Sequence, residues 1–195
     1  MLTIQPFITL DALNDIQKYQ YERIEIFQQT GDPRAPLIAE TPKMVSFFFA
    51  MWTTLSFMGA IAILFVLKPL YRGEKWAKAV ALTGLSMPAV GSAYMLVPWL
   101  NFVSTKPEAG FPPAIIIMVV TLAAYFAVLL AGKSSAKEKA ILFVVFMTIG
   151  VVAGYSFGNG HAAHRILIGH PRMPVYADNG IWFLNYTRTA GWIVT

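Results

Sequence analysis

The chain has 195 residues, of which 56% are apolar and only 13% charged, whereas a soluble domain of this length carries about twice that charged fraction. Its formal net charge is +5 and it contains no cysteine. Disulfides, iron–sulfur ligation, thiolate zinc sites and cysteine nucleophiles are therefore excluded at the outset.

Residues 1–43 form a polar N-terminal arm. From Asp11 to Gln29 the run DALNDIQKYQYERIEIFQQ places Leu13, Ile16, Ile24 and Phe27 at helical spacings, with Tyr19 and Tyr21 nearby. Asp11 suits an N-cap and Gly31 a C′ residue, so an amphipathic helix is expected between them. It can lie on a membrane surface or dock on a partner protein. Asp15, Glu22 and Glu25 make it a poor match for anionic lipid. Gly31 to Pro42, with Pro33, Pro36 and Pro42, reads as an extended link. A signal peptide is not expected, because Asp11 and Asp15 stand where its apolar core would be and no basic region precedes them.

Four apolar blocks follow: 44–67, 78–100, 111–131 and 140–158. Each is close to the roughly 20 residues that cross a bilayer core, and Lys78, at an edge, is their single charged residue. The expected fold class is an all-α membrane protein. It comprises a four-transmembrane-helix bundle over residues 44–160, preceded by the amphipathic helix and followed by an irregular tail, 161–195. In the tail, Asn179-Gly180 between short apolar runs suits a hairpin. Trp182, Phe183, Tyr186 and Trp192 suit an interfacial aromatic belt.

Charge gives the orientation. Lys68, Arg72, Lys75 and Lys78 in one gap, and Lys133, Lys137 and Lys139 in another, face only Glu74 and Glu138, so one side carries +5. The opposite side has eight basic and eight acidic residues. The positive-inside rule then puts the two basic loops in the cytoplasm and both termini outside it, in the inner or cell membrane of a bacterium or archaeon. The basic balance is a topology signal and does not point to nucleic acid.

Three features inside the blocks bear on packing and chemistry. Pro88 in LTGLSMPAVGSAY removes the hydrogen bond to the carbonyl of Gly84, which predicts a helix kink. Such a break either lines a substrate or ion site or serves packing alone. Gly150, Gly154, Gly158 and Ala162 fall at every fourth position, and Ala123, Ala127 and Ala131 do so on the preceding helix. The two small-residue ridges can meet each other, or one can meet another subunit.

All three histidines, His161, His164 and His170, lie within ten residues. His161 and His164 are i and i+3, so a continuing helix puts them on one face, and His170 can fold back as a third ligand. Three imidazoles suit zinc or copper. A haem would need a second ligand from another subunit or from within the cluster. The plainer alternative is a polar cap of histidines with Arg165 and Arg172 at the membrane surface.

No nucleophile elbow, P-loop, dinucleotide fingerprint or HExxH motif occurs, and no ionisable residue stands at mid-membrane to relay protons. The expected function is that of an accessory or structural subunit of a larger membrane complex, respiratory, photosynthetic or otherwise redox-active. It has no catalytic step of its own, and its partners are the lipid bilayer and other membrane subunits. The alternative is a haem- or metal-binding redox membrane protein using the histidine cluster. A small carrier or lipid-binding protein centred on Pro88 is a third reading.

Overall fold

The computed structural model describes the backbone of residues 5–32, 35, 39, 41–104, 106, 107 and 110–167, and among these described residues five long α-helices and no strand are found. They are α1 (Gln5–Gln29), α2 (Thr41–Tyr71), α3 (Lys75–Phe102), α4 (Pro113–Leu130) and α5 (Ala136–Leu167). Two of these, α2 over Val45–Tyr71 and the whole of α4, are long and apolar enough to cross a membrane.

The sequence sets most of the boundaries through local chemistry. At the end of α1 the Gly31 N–H donates to the Gln28 carbonyl and the Asp32 N–H to that of Phe27. Gly31 adopts φ +65°, a conformation glycine reaches without a Cβ penalty. The same pair of bonds ends α2, from Gly73 to Leu70 and from Glu74 to Pro69. Helix α4 opens on Pro112-Pro113, where a missing N–H costs nothing. Helix α5 opens on Ser135, whose hydroxyl accepts the Glu138 N–H at 3.2 Å, the capping arrangement that S-x-x-E encodes.

Two boundaries differ from expectation. Helix α1 begins at Gln5 rather than at Asp11. Pro6 stands in its first turn, where proline is tolerated, and Asp11 is an exposed position inside the helix. Ala35 and Ala39 are helical, so at those two positions the link after Gly31 is not extended. The tail hairpin and its aromatic residues lie outside the described residues.

Helix α3 is the axis on which the others pack. It contacts α2, α4 and α5 extensively and α1 more lightly. Ala77, Ala81, Leu82, Ser86 and Ser92 on it are fully buried. Two clusters hold its ends. One joins Leu13, Ile16 and Tyr19 of α1 to Val45, Phe49 and Trp52 of α2, with Met95, Trp99 and Ile117. The other joins Leu82 and Leu85 to Tyr125 and Leu129 of α4, with Leu142 and Phe146 of α5 packed against them.

Candidate functional site

The middle of α3 brings together the residues that matter most to packing. A Cβ added at Gly59 of α2 would stand 3.1 Å from the Gly84 carbonyl oxygen, and one added at Gly84 would stand 3.1 Å from that of Gly59. The two backbones therefore meet with no side chain between them, the close approach that small residues permit between apolar helices. Two turns on, Gly91 receives the edge of the Trp52 indole. On another flank of α3, a Cβ at Gly150 of α5 would lie 2.6 Å from the Ser86 carbonyl oxygen.

Pro88 is fully buried amid these contacts, and α3 runs through it as one helix. Its missing N–H leaves the Gly84 carbonyl without a helical donor. That carbonyl is the one facing Gly59, so the freed acceptor is turned into a close backbone-to-backbone contact between α2 and α3. The hydroxyls nearby close onto their own helix. Thr83 Oγ1 donates to the Ala79 carbonyl, Ser86 Oγ to that of Thr83, and Ser92 Oγ to that of Pro88. On α3 itself no hydroxyl of this group is left over for a substrate.

On α2 the situation differs. Among the described residues, Trp52 Nε1, Thr53 Oγ1 and Ser56 Oγ are buried without a hydrogen-bond partner, as are both amide atoms of Gln20 on α1. Trp52 also lines a pocket with Thr9, Phe49, Met95, Trp99, Pro112 and Ile117 at the junction of α1 to α4. Its free volume of about 10 Å³ is room for one water. A haem or quinone would not enter it without moving α1.

The remaining expected residues are placed as follows. Gly150 is buried against α3. Ala123, Ala127 and Ala131 lie on the exposed side of α4, and the residues it turns inward are Ile117, Thr121, Tyr125 and Leu129. The alanines therefore do not line the α4–α5 contact. Tyr125 makes that link, its hydroxyl donating to the Phe143 carbonyl at 3.3 Å and its ring standing edge-on to Phe143. Helical backbone continues to Leu167, so His161 and His164 occupy successive turns of α5. The side chains of Gly154 through Leu167, His161, His164 and Ala162 among them, and the whole of His170, lie outside the described part. Among the described residues no group of three or more His, Cys, Asp or Glu is placed to hold a metal.

Two lysines that the sequence marks only as loop charges make specific contacts. Lys78 Nζ donates to the Leu129 and Ala131 carbonyls at 2.8 and 2.9 Å, and Lys139 Nζ donates to the Leu130 carbonyl at 2.9 Å. The C-terminus of α4, with its unpaired carbonyls and negative dipole end, is thus closed by two ammonium groups. In the sequence Lys78 stands only as a basic-loop charge at the edge of an apolar block. The signal available was its spacing from the end of a helix 51 residues later in the chain, which is invisible until the fold is known. Lys75 and Glu138 pair at 3.8 Å across the same end.

At the opposite end the polar arm is held by the chain itself. Gln17 Nε2 donates to the Ser46 hydroxyl, and Lys106 Nζ pairs with Glu22 at 2.9 Å. The same ammonium lies 4.4 Å from the centre of the Tyr19 ring, within cation–π range. Comparisons with protein-family models, with curated proteins and with solved structures found no match.

Proposed function

We propose that this chain is an integral membrane protein in which α2 to α5 each cross the bilayer. In this reading it serves as an accessory or structural subunit of a larger membrane complex and carries out no reaction of its own. The observation that carries the reading is the sorting of groups by position. The centre of the bundle is closed by glycine, serine and alanine contacts around α3. Large apolar side chains such as Met58, Leu64 and Phe65 of α2, Val119 and Phe126 of α4, and Val144 of α5 face outward. An exposed apolar surface of that extent marks a membrane or a protein partner.

Both basic loops stand at one end, where Lys75 meets Glu138 and Lys78 reaches Ala131. Tyr71 and Trp76 are exposed beside them, as aromatic residues at a membrane–water boundary are. This supports the orientation with the basic end in the cytoplasm and both termini outside. The absence of charge from the bundle's mid-depth argues against an ion or proton path.

The test is extraction of the tagged protein from its own membrane in mild detergent, followed by native mass measurement and identification of co-purifying chains. The reading expects a stoichiometric complex with other membrane subunits. A monodisperse monomer that leaves intact membranes with no partner would overturn it.

A further inference from the structure

Helix α1 stands upright against the bundle rather than lying across its end. Gln17 is bonded to Ser46, and eight residues earlier Thr9 lines a pocket with Phe49 and Trp52. The two helices are therefore antiparallel and inclined to each other, so that positions towards the start of α1 lie progressively deeper along α2. Thr9 is level with Phe49 and Trp52, so Leu10 stands beside that turn of α2 and Phe7 about half a turn deeper.

Those two α1 side chains face away from the bundle, Phe7 being 69% and Leu10 48% exposed. On α2, Phe47, Met51 and Leu55 are exposed as well. The segment from Gln5 to Leu10 has no charged residue, and every charge on α1 lies after it, beginning with Asp11. A hydrocarbon layer of about 30 Å takes up about 20 residues of helix. Counted back along α2 from Leu67, next to Lys68, it ends near Phe48. Phe7 and Leu10 fall on the hydrocarbon side of that limit. Lys18, level with the start of α2, falls outside it, and Asp11, one turn above Phe7, stands near the border.

We propose that the first two turns of α1 are immersed in the outer leaflet, with lipid acyl chains covering Phe7 and Leu10, while the rest of α1 emerges through the headgroups. The proposal rests on the reading of α2 as a membrane-crossing helix. Helix α1 thus acts as a half-inserted fifth helix, packed on the bundle through Leu13, Ile16 and Gln20 and on lipid through its other flank.

The cysteine-free chain allows single nitroxide labels to be placed cleanly. The full-length protein carrying Phe7→Cys, Leu10→Cys, Lys18→Cys, Glu25→Cys or Phe65→Cys is labelled and reconstituted in phosphatidylcholine vesicles. Collision of each label with oxygen, which concentrates in lipid, is compared with collision with a water-soluble nickel chelate. Positions 7 and 10 are expected to match position 65 of α2, with oxygen favoured several-fold, and positions 18 and 25 to show the reverse preference. Nickel access at 7 and 10 equal to that at 18, with 65 still lipid-facing, would overturn the proposal and leave the spanning reading intact. Exclusion of both reagents at 7 and 10 would also overturn it, showing protein, a second copy included, in place of lipid. Nickel access at 65 would overturn the spanning reading and this proposal together.

Discussion

Gly150 and Gly91 separate two kinds of close contact at the scale of single residues. The atom a Cβ would meet at Gly150 is the backbone carbonyl of Ser86, which cannot move without bending α3. At Gly91 it is the edge of the Trp52 indole, which is itself buried in a cluster with Phe49, Met95 and Trp99. Overpacking costs about 1–3 kcal/mol, against about 1 kcal/mol gained when alanine replaces glycine in a helix. Gly150→Ala and Gly91→Ala are therefore each expected to lower stability to denaturation in detergent. The Gly91→Ala loss should shrink when combined with Trp52→Phe, giving a coupling of at least about 0.5 kcal/mol in a double-mutant cycle. Additive losses would show that Gly91 and Trp52 do not share the space. Ala127→Leu, on the exposed side of α4, should leave the isolated chain as stable as before. Lys78→Met removes the donor to two carbonyls at the end of α4. At this partly exposed site it should cost about 1 kcal/mol, seen as earlier loss of helix signal on heating.

Helix α1 shows at the scale of elements how much the sequence could tell and where it stopped. Its existence and its glycine-terminated end were legible, because Leu13, Ile16 and Ile24 recur at helical spacing and Gly31 follows. Its start was not, since Asp11 resembles an N-cap while Pro6 is as acceptable in a first turn as outside a helix. Its docking surface was only half legible, because Thr9 and Gln20 share the buried face with Leu13, Ile16 and Ile24, and polar residues hide a periodic pattern. For α3 the pattern carried no information at all. A helix with apolar residues on both its inner and outer faces gives no period, so nothing marked α3 as the axis except its crowd of small residues around Pro88. The glycines of α5 drew attention as a regular ridge, yet Gly59 and Gly91, which follow no such repeat, also meet neighbouring helices at close range.

The α1 clasp gives the test at this scale. Ile16 is fully buried, and Ile16→Ala should cost about 2–4 kcal/mol of local stability. The effect should appear as loss of hydrogen-exchange protection across α1 with α3 unchanged. Glu22→Gln removes an ion pair whose members are 34% and 44% exposed, so its effect should stay within about 1 kcal/mol. Equal loss of protection in α1 and α3 on Ile16→Ala would show one cooperative unit instead of an arm docked on a bundle.

The whole molecule is organised by the difference between its two ends. One end gathers Lys75, Lys78, Lys139 and Glu138 around the C-terminus of α4. The other holds α1 against the beginnings of α2 and α4 and the end of α3. Sequence arithmetic already assigned the two basic loops to one side, because alternation along four blocks needs no knowledge of packing. That they adjoin and brace one helix end needed the fold. Sided chemical labelling puts the proposed topology to its most direct test. Single cysteines at Tyr71 and Ser134, in the basic loops, and at Gln28 and Ser104, at the other end, are treated with a membrane-impermeant maleimide on sealed right-side-out vesicles. Positions 28 and 104 should label at once, and 71 and 134 only after the vesicles are opened. Labelling of all four before opening would contradict a bundle that crosses the membrane with its basic end inside.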